Sequence, residues 1–242
     1  MPSRRRSKNF ASRCRTLSDS REPAGATAAR RGEGYHGILF VISSPSGGGK
    51  GTLIRRLLEI IPDLSYSVSW TTREPRRGEI DGVNYHFVSK EEFERMRDAG
   101  GFLEWALVHG HLYGTARSVV AQELSEGHDI VLEIDVQGAA SVRAALDSVV
   151  LVFILPPSFE VLRARLSARM TERPEEFELR LRNARGEVEQ YRSFDYLVLN
   201  DEVERAAAQL ASIVYAERAR RERQEWVARR VLATFDAPAG VE

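Results

Sequence analysis

Residues 43–52 read SSPSGGGKGT, and they close the apolar run GILFVISS (37–44). Such a run, rich in β-branched residues, suits a strand buried on both faces of a parallel sheet. Beyond it, Leu53, Ile54, Leu57, Leu58 and Ile61 fall at helical spacing, and Pro62 stops the helix. The glycines therefore join a buried strand to a helix N-terminus. Gly47, Gly48 and Gly49 let backbone N–H groups turn inward around oxygens. The helix dipole faces the same place, and Lys50 adds a point charge for the β- and γ-phosphates. The pattern departs from G-x-x-x-x-G-K-[ST] at two positions. Ser44 stands at the first glycine, and Gly51 stands where a hydroxyl would bind Mg²⁺. The reading is a nucleotide-binding loop, and an adventitious tight turn is the alternative.

Outward from the loop, strands and helices alternate. SYSVSWTT (65–72) alternates like one short strand, TREPRRGEIDG (72–82) is rich in turn residues, and NYHFV (84–88) is another strand. Ser89 with Glu92 forms a capping box for a helix over 90–99, closed by Gly100 and Gly101. A helix is predicted over 115–126, ending at Gly127. DIVLEIDV (129–136) and VVLVFILP (149–156) are buried strands. Ser158 caps a helix over 159–169, and another covers about 175–192. YLVLN (196–200) is the last core strand, and a single charged helix with i,i+4 pairs runs from about 202 to 232. Buried strands alternating with helices predict the α/β class, a parallel sheet covered on both faces.

The 242 residues are 43% hydrophobic and 29% charged, enough for one large core with smaller insertions. Lys+Arg and Asp+Glu balance at 35 each. The balance conceals an asymmetry, because residues 1–34 hold nine basic residues against three acidic ones, about +6 against −6 for the remainder. Cys14 is the only cysteine, so neither an intramolecular disulfide nor a cysteine zinc site is possible. That suits a reducing, cytoplasmic setting. No apolar run approaches the ~20 residues of a membrane helix. The Arg/Ser/Ala-rich start has no apolar h-region of a secretory signal and reads as a disordered basic extension. Neither nucleic acid nor membrane is an expected partner.

Arg73 and Arg76 flank a stiffening proline and suit a second phosphate, gripped bidentately. At this point the chain resembles guanylate kinases, over about residues 36–220. Members show S-x-P-S-G-x-G-K, then S-x-[ST]-T-R-x-P-R-x-G-E-x-x-G-x-x-Y-x-F. This chain has Ser43, Pro45, Ser46, Gly47, Gly49 and Lys50, then Ser69, Thr71, Thr72, Arg73, Pro75, Arg76, Gly78, Glu79, Gly82, Tyr85 and Phe87. FLEWALVHGHLYGT (102–115), LEIDVQGA (132–139) and the arginine spacing of RLSARMTERPEEFELRL (165–181) agree.

The resemblance implies a P-loop nucleoside-monophosphate-kinase fold: a five-stranded parallel core, a mixed GMP-binding insertion and a helical lid. The core would comprise 35–66, 117–164 and 183–235, the arm about 67–116 and the lid about 165–182, with 236–242 a disordered tail. It implies transfer of the γ-phosphoryl group of ATP to GMP, with Mg²⁺. Ser44, Pro45, Ser46, Gly47, Gly48, Gly49, Lys50, Gly51 and Thr52 would hold ATP, with Asn200 near the adenine. Arg73, Arg76, Tyr85 and Tyr113 would bind the GMP phosphate, and Ser69, Glu104 and Thr115 the guanine. Asp135 would help hold Mg²⁺ through water, with Glu133 near the acceptor phosphate. Arg165, Arg169 and Arg180 would reach the triphosphate on lid closure and, with Lys50 and Arg73, form the catalytic set.

The departures are specific. Gly51 replaces the usual Ser or Thr, as in adenylate kinases. Met170 replaces a usual glycine, and Arg173-Pro174 replaces a Ser/Thr–acid pair. Structural readings stand beside the functional ones. Tyr85 and Tyr113 suit ordinary packing, and Glu104 suits the polar member of an alternating segment. His109 and His111 have no ligand partner at metal spacing. The alternatives for the whole chain are a non-catalytic guanylate-kinase-like interaction module, or a small-molecule kinase with another phosphate acceptor. The sequence leaves monomer and homo-oligomer open.

Overall fold

The computed structural model describes residues 35–108, 110–168 and 174–235, with backbone alone at 174–176 and 179–180. The predicted extension (1–34), the tail (236–242), His109, Arg169, Met170 and Arg173 lie outside the described residues, as does the side chain of Arg180.

Five parallel strands form the core sheet. They are β1 (Leu39–Ser43), β2 (Ser65–Tyr66), β7 (Ile130–Glu133), β8 (Val150–Leu155) and β9 (Tyr196–Leu199), in the order β2-β7-β1-β8-β9. The apolar run alternates between two cores, as the period of two in a strand requires. Phe40 and Ile42 pack with Leu53, Leu57, Leu210 and Val214 of helices α1 (Lys50–Ile60) and α7 (Val203–Arg218). Leu39 and Val41 pack with Val120 of α3 (Arg117–Ser125) and Val142 of α4 (Val136–Ala145) on the other face. Each such side chain contributes about 1.5–3 kcal/mol when fully buried. The sheet is thus covered on both faces, as expected.

The arm is a second, mixed sheet of β3 (Trp70–Thr71), β4 (His86–Phe87), β5 (Phe102–Val108) and β6 (His111–Ala116), in the order β4-β3-β6-β5. Phe93 and Met96 of α2 (Lys90–Asp98) fill its back, where Phe93 stacks on Phe102 with ring centroids 4.4 Å apart. Ser89 caps α2 by accepting from Glu92 N, as the capping box predicts. Helices α5 (Phe159–Ala168) and α6 (Pro174–Glu189) join through Leu162, Leu166, Leu181 and Ala184. A 3₁₀ turn, Gln190–Ser193, leads on to β9, and α8 (Arg221–Ala233) is the last described element.

Three sequence expectations change. The alternating stretch 65–72 is two strands in two sheets, since Ser65–Tyr66 pairs with β7 while Trp70–Thr71 pairs with β4 and β6. Alternation reports two faces and not which partner lies alongside. The strand expected over 129–136 ends at Glu133, because Asp135 accepts from Gly138 N at 2.8 Å and starts α4. The helix expected over 202–232 breaks at Arg220, which is extended (φ −56°, ψ 136°). No Gly or Pro marks the break. Glu217, 2% exposed, accepts from Tyr196 Oη at 2.5 Å and pairs with Arg220 at 3.1 Å and Arg223 at 3.3 Å, so the chain folds back around a buried carboxylate. The first part of that expected charged helix, α7, is also not charged all round, since Ala206, Ala207, Leu210, Ala211 and Val214 are buried.

Candidate functional site

The C-terminal ends of the core strands carry the site, as in other open α/β sheets. β1 runs straight into the loop. Gly47 (φ 81°) and Gly49 (φ 87°) take the left-handed conformation that side chains disfavour. At Gly49 the approach is also close, since an added Cβ would lie 2.4 Å from Asn200 Nδ2. The peptide after Gly48 is clamped: its carbonyl accepts from Asn200 Nδ2 at 2.7 Å and Arg165 Nη1 at 3.4 Å, and Arg165 Nη2 donates to Asn200 O at 3.0 Å. Asn200 is 2% exposed, and its amide braces the loop. Lys50 Nζ donates to Ile134 O at 3.0 Å. Ser46 N donates to Glu187 Oε2 of α6 at 2.9 Å. Ser44 and Pro45 are buried at the loop entrance, and Thr52 is exposed.

The arm supplies the second half. Arg73 pairs with Glu79 at 2.8 Å, with both side chains largely buried. The other Glu79 oxygen accepts from Arg76 N at 2.7 Å. One carboxylate thus shapes the 73–79 turn, and Arg73 holds the Glu79 carboxyl below its usual range. The guanidinium of Arg73 lies 5.3 Å from the centre of the Tyr85 ring, and Tyr85 meets Tyr113 edge-on at 5.9 Å. Arg76 is exposed, and Ser69 O accepts from His86 N at 2.9 Å. Arg73, Tyr85 and Tyr113 therefore form one cluster.

Glu104 on β5 is 6% exposed, and Thr115 on β6 donates to its Oε1 at 2.6 Å. Burial pushes its carboxyl up to about 7, against the stabilising Thr115 hydrogen bond and with a further push from Asp135. A buried carboxylate whose hydrogen bonds come from one neutral residue, Thr115, with no cation beside it in this set of interactions, is a candidate for a functional role.

Arm and core meet at Glu133. Burial raises the Tyr85 phenol above its usual range, and the Glu133 charge adds to it. Tyr66 Oη donates to Glu133 Oε2 at 3.3 Å. For Mg²⁺, the oxygen donors Glu133 and Asp135 are chemically apt. Asp135 already engages one oxygen in capping α4. Among the described residues no group of three or more His, Cys, Asp or Glu is placed to hold a metal. The donors therefore fit an ion that keeps waters and leans on nucleotide phosphates.

Comparison with known proteins agrees with this architecture. The family model for guanylate kinase matches residues 37–217. The chain belongs to the guanylate kinase family. It is 50% identical over 200 residues to the guanylate kinase of Chelativorans sp. (strain BNC1), covering 82% of this chain and 89% of that one. It is 48% identical over 189 residues to that of Caldanaerobacter subterraneus subsp. tengcongensis, covering 78% and 92%. The crystal structure of guanylate kinase from Anaplasma phagocytophilum superposes with a TM-score of 0.66 at 34% identity, covering 79% of this chain and 95% of that one.

Four participants escape the sequence reading of this guanylate kinase family member. Tyr66 reads as one position of an alternating strand, yet it holds Glu133. Glu79 stands in the motif without a role, yet it orders both arm arginines. Gly138 leaves room for the Glu104 carboxylate, since an added Cβ would lie 2.8 Å from Glu104 Oε2. Glu187 lies in a charged helix and carries no local signal at all.

Proposed function

We propose that the chain transfers the γ-phosphoryl group of ATP to GMP, giving ADP and GDP, within purine nucleotide metabolism. The observation that carries the reading is Glu104: a buried carboxylate on the arm, bonded by Thr115 alone among side chains and close to Asp135 at the start of α4. Guanine presents N1–H and its 2-amino group side by side, which two carboxylate oxygens match. Ser69 and Thr115 complete the base site. Arg73, Arg76, Tyr85 and Tyr113 take the GMP phosphate.

Phosphoryl transfer is mostly positioning and charge neutralisation. Ser44–Thr52 cradle the ATP phosphates, and Asn200 and Arg165 act on them by fixing the Gly48 peptide. Lys50 on the loop and Arg73 on the arm supply positive charge that offsets the repulsion between the two anionic nucleotides. Arg169 and Arg180 are assigned to the triphosphate by family likeness. Mg²⁺, held through Asp135 and neighbouring oxygens, would neutralise charge on the β- and γ-phosphates. No general base is required, because the acceptor phosphate is already largely ionised. The arm (67–116) and the lid (165–182) close on the core and exclude water, which would otherwise hydrolyse ATP.

No described helix is long and apolar enough to cross a membrane, and we assign the activity to the cytoplasm. ADP release measured with GMP, AMP, UMP and dTMP as acceptors tests the proposal. Turnover with GMP far above the others is expected, and equal turnover with AMP or a pyrimidine nucleotide overturns it.

A further inference from the structure

Two phenols approach one carboxylate where arm and core meet, and only one of them is bonded to it. Tyr66, the last residue of β2, packs its ring against the apolar core and sends its hydroxyl to Glu133 Oε2 at 3.3 Å. Its partner across the sheet is Val131, two residues before Glu133, so the ring and the carboxylate stand on one face of the sheet. The phosphate loop borders the same carboxylate, since a Cβ built at Gly51 would lie 3.4 Å from Oε1 and 3.6 Å from Oε2. Tyr85 comes from the arm, one residue before β4. The Arg73 guanidinium lies 5.3 Å from the centre of its ring, and Tyr113 and Phe87 each lie 5.9 Å from it, centroid to centroid. Among the described residues its hydroxyl has no hydrogen-bond partner. Burial first and Glu133 second hold both phenols above their usual range, so both are neutral donors near the same charge.

A phenol free to reach a carboxylate donates to it, because a hydrogen bond to an ionised acceptor is about twice as strong as a neutral one. A Tyr85 proton given to Glu133 would be lost to the GMP phosphate, and the arm would be tied to the core before any substrate arrived. Tyr66 does not prevent this by occupancy, since a carboxylate offers about four acceptor positions. It acts by placement. With the β2 hydroxyl on one oxygen and the loop backbone close to both, the carboxylate is held on the core side.

We infer that Tyr66 is a positioning residue for the phosphoryl acceptor: by holding the Glu133 carboxylate on the core, it leaves the Tyr85 hydroxyl free for the phosphate of GMP. The inference rests on the proposed GMP site. At 3.3 Å the Tyr66 bond is long for a phenol on a carboxylate, which keeps the expected effect modest.

The test is a pair of double-mutant cycles on the full chain, read as GMP affinity by titration calorimetry without ATP and well below every variant's thermal midpoint. Tyr66→Phe keeps the ring and its packing. It is expected to weaken GMP binding about three- to tenfold, the scale of one modest hydrogen bond. Tyr85→Phe is expected to weaken GMP binding as well. Adding Tyr66→Phe to it should cost nothing further, since no arm hydroxyl remains to be diverted. Adding Tyr66→Phe to Glu133→Gln should cost less than it does in the wild type, because the competing charge is gone. Wild-type GMP affinity in Tyr66→Phe overturns the inference. An undiminished loss in either background also overturns it, because a hydroxyl with a merely structural role acts independently of Tyr85 and of the Glu133 charge. Failure of the ATP:GMP proposal itself shows differently, as absent GMP binding in the wild type.

Discussion

Glu104, proposed above to read the base, makes stability and binding sensitive to pH in a way that can be signed in advance. Its carboxyl is pushed from 4.5 up to about 7, chiefly by burial. Between these values the folded protein holds more protons than the unfolded chain, so stability falls as pH rises. The penalty is absent below pH 4.5 and fully present above about 7. Glu104→Gln should therefore flatten the urea midpoint between pH 5 and pH 8 and raise it at pH 8, relative to wild type. GMP binding has the opposite sensitivity. The base pairs with the ionised carboxylate, so affinity should tighten as pH rises through about 7. The GMP phosphate titrates nearby, and subtracting the Glu104→Gln profile removes that contribution. A wild-type profile parallel to that of the variant would detach Glu104 from the base. Glu104→Ala should lower kcat/KM for GMP about 10²–10⁴-fold, since two charged hydrogen bonds of roughly 1.5–3 kcal/mol each are lost. The preference over AMP should narrow with it. A surface residue on an alternating strand predicts unchanged kinetics instead.

Among the described residues, α6 reaches the loop through Ser46 N, which donates to Glu187 Oε2 at 2.9 Å. Glu187 lies seven residues after position 180, almost two helical turns, so the two positions share a helix face. Removing the contact should loosen the lid without touching the arm. Glu187→Ala should raise KM for ATP by about tenfold, the scale of one charge-assisted hydrogen bond. GMP affinity measured without ATP should hold at the wild-type value, and Glu187→Gln, which keeps an acceptor oxygen, should recover most of the loss. A fall in ATP KM for Glu187→Ala would instead make the carboxylate a competitor of phosphate. This contact also marks where legibility in the sequence stops. The loop, the buried strands and the α2 cap are legible because glycine, apolar runs and capping serine act through neighbours in the chain. The arm residues are legible through dense motif matching. Tyr66–Glu133, Ser46–Glu187 and Asn200–Gly48 are not, because each joins residues 67 to 152 positions apart. The break at Arg220 is illegible for another reason: a carboxylate buried by tertiary packing bends the chain where residue propensity alone would continue the helix.

At the scale of the whole molecule, the site stands on a sheet whose opposite end is tied by a buried acid. Asp129, fully buried at the entrance of β7, accepts from Tyr35 Oη and Ile38 N at 2.9 Å and from Arg218 Nε at 2.6 Å. Arg218, at the end of α7, also reaches Asp63 at 3.3 Å. One carboxylate therefore fastens the approach to β1, the start of β7, the turn after α1 and the last turn of α7. Ile38 precedes β1 and the phosphate loop follows it, so the clasp and the site lie at opposite ends of the same strand. Removing one partner of a buried ion pair leaves an uncompensated charge and costs about 3–5 kcal/mol. That is a large part of the ~5–15 kcal/mol that holds a domain folded. Asp129→Ala should accordingly lower the thermal midpoint by roughly 10 °C. Arg218 would keep only its longer pairing with Asp63, and Ile38 N would lose its Asp129 acceptor, so Asp129→Asn, which returns one acceptor oxygen, should lose less. KM for GMP and ATP, measured well below the new midpoint, should stay at the wild-type values, because the β1 C-terminus and the arm remain in place. A large change in either KM at a temperature where the variant is fully folded would mean that the clasp reaches the site through the sheet, and that the two ends of β1 are mechanically coupled.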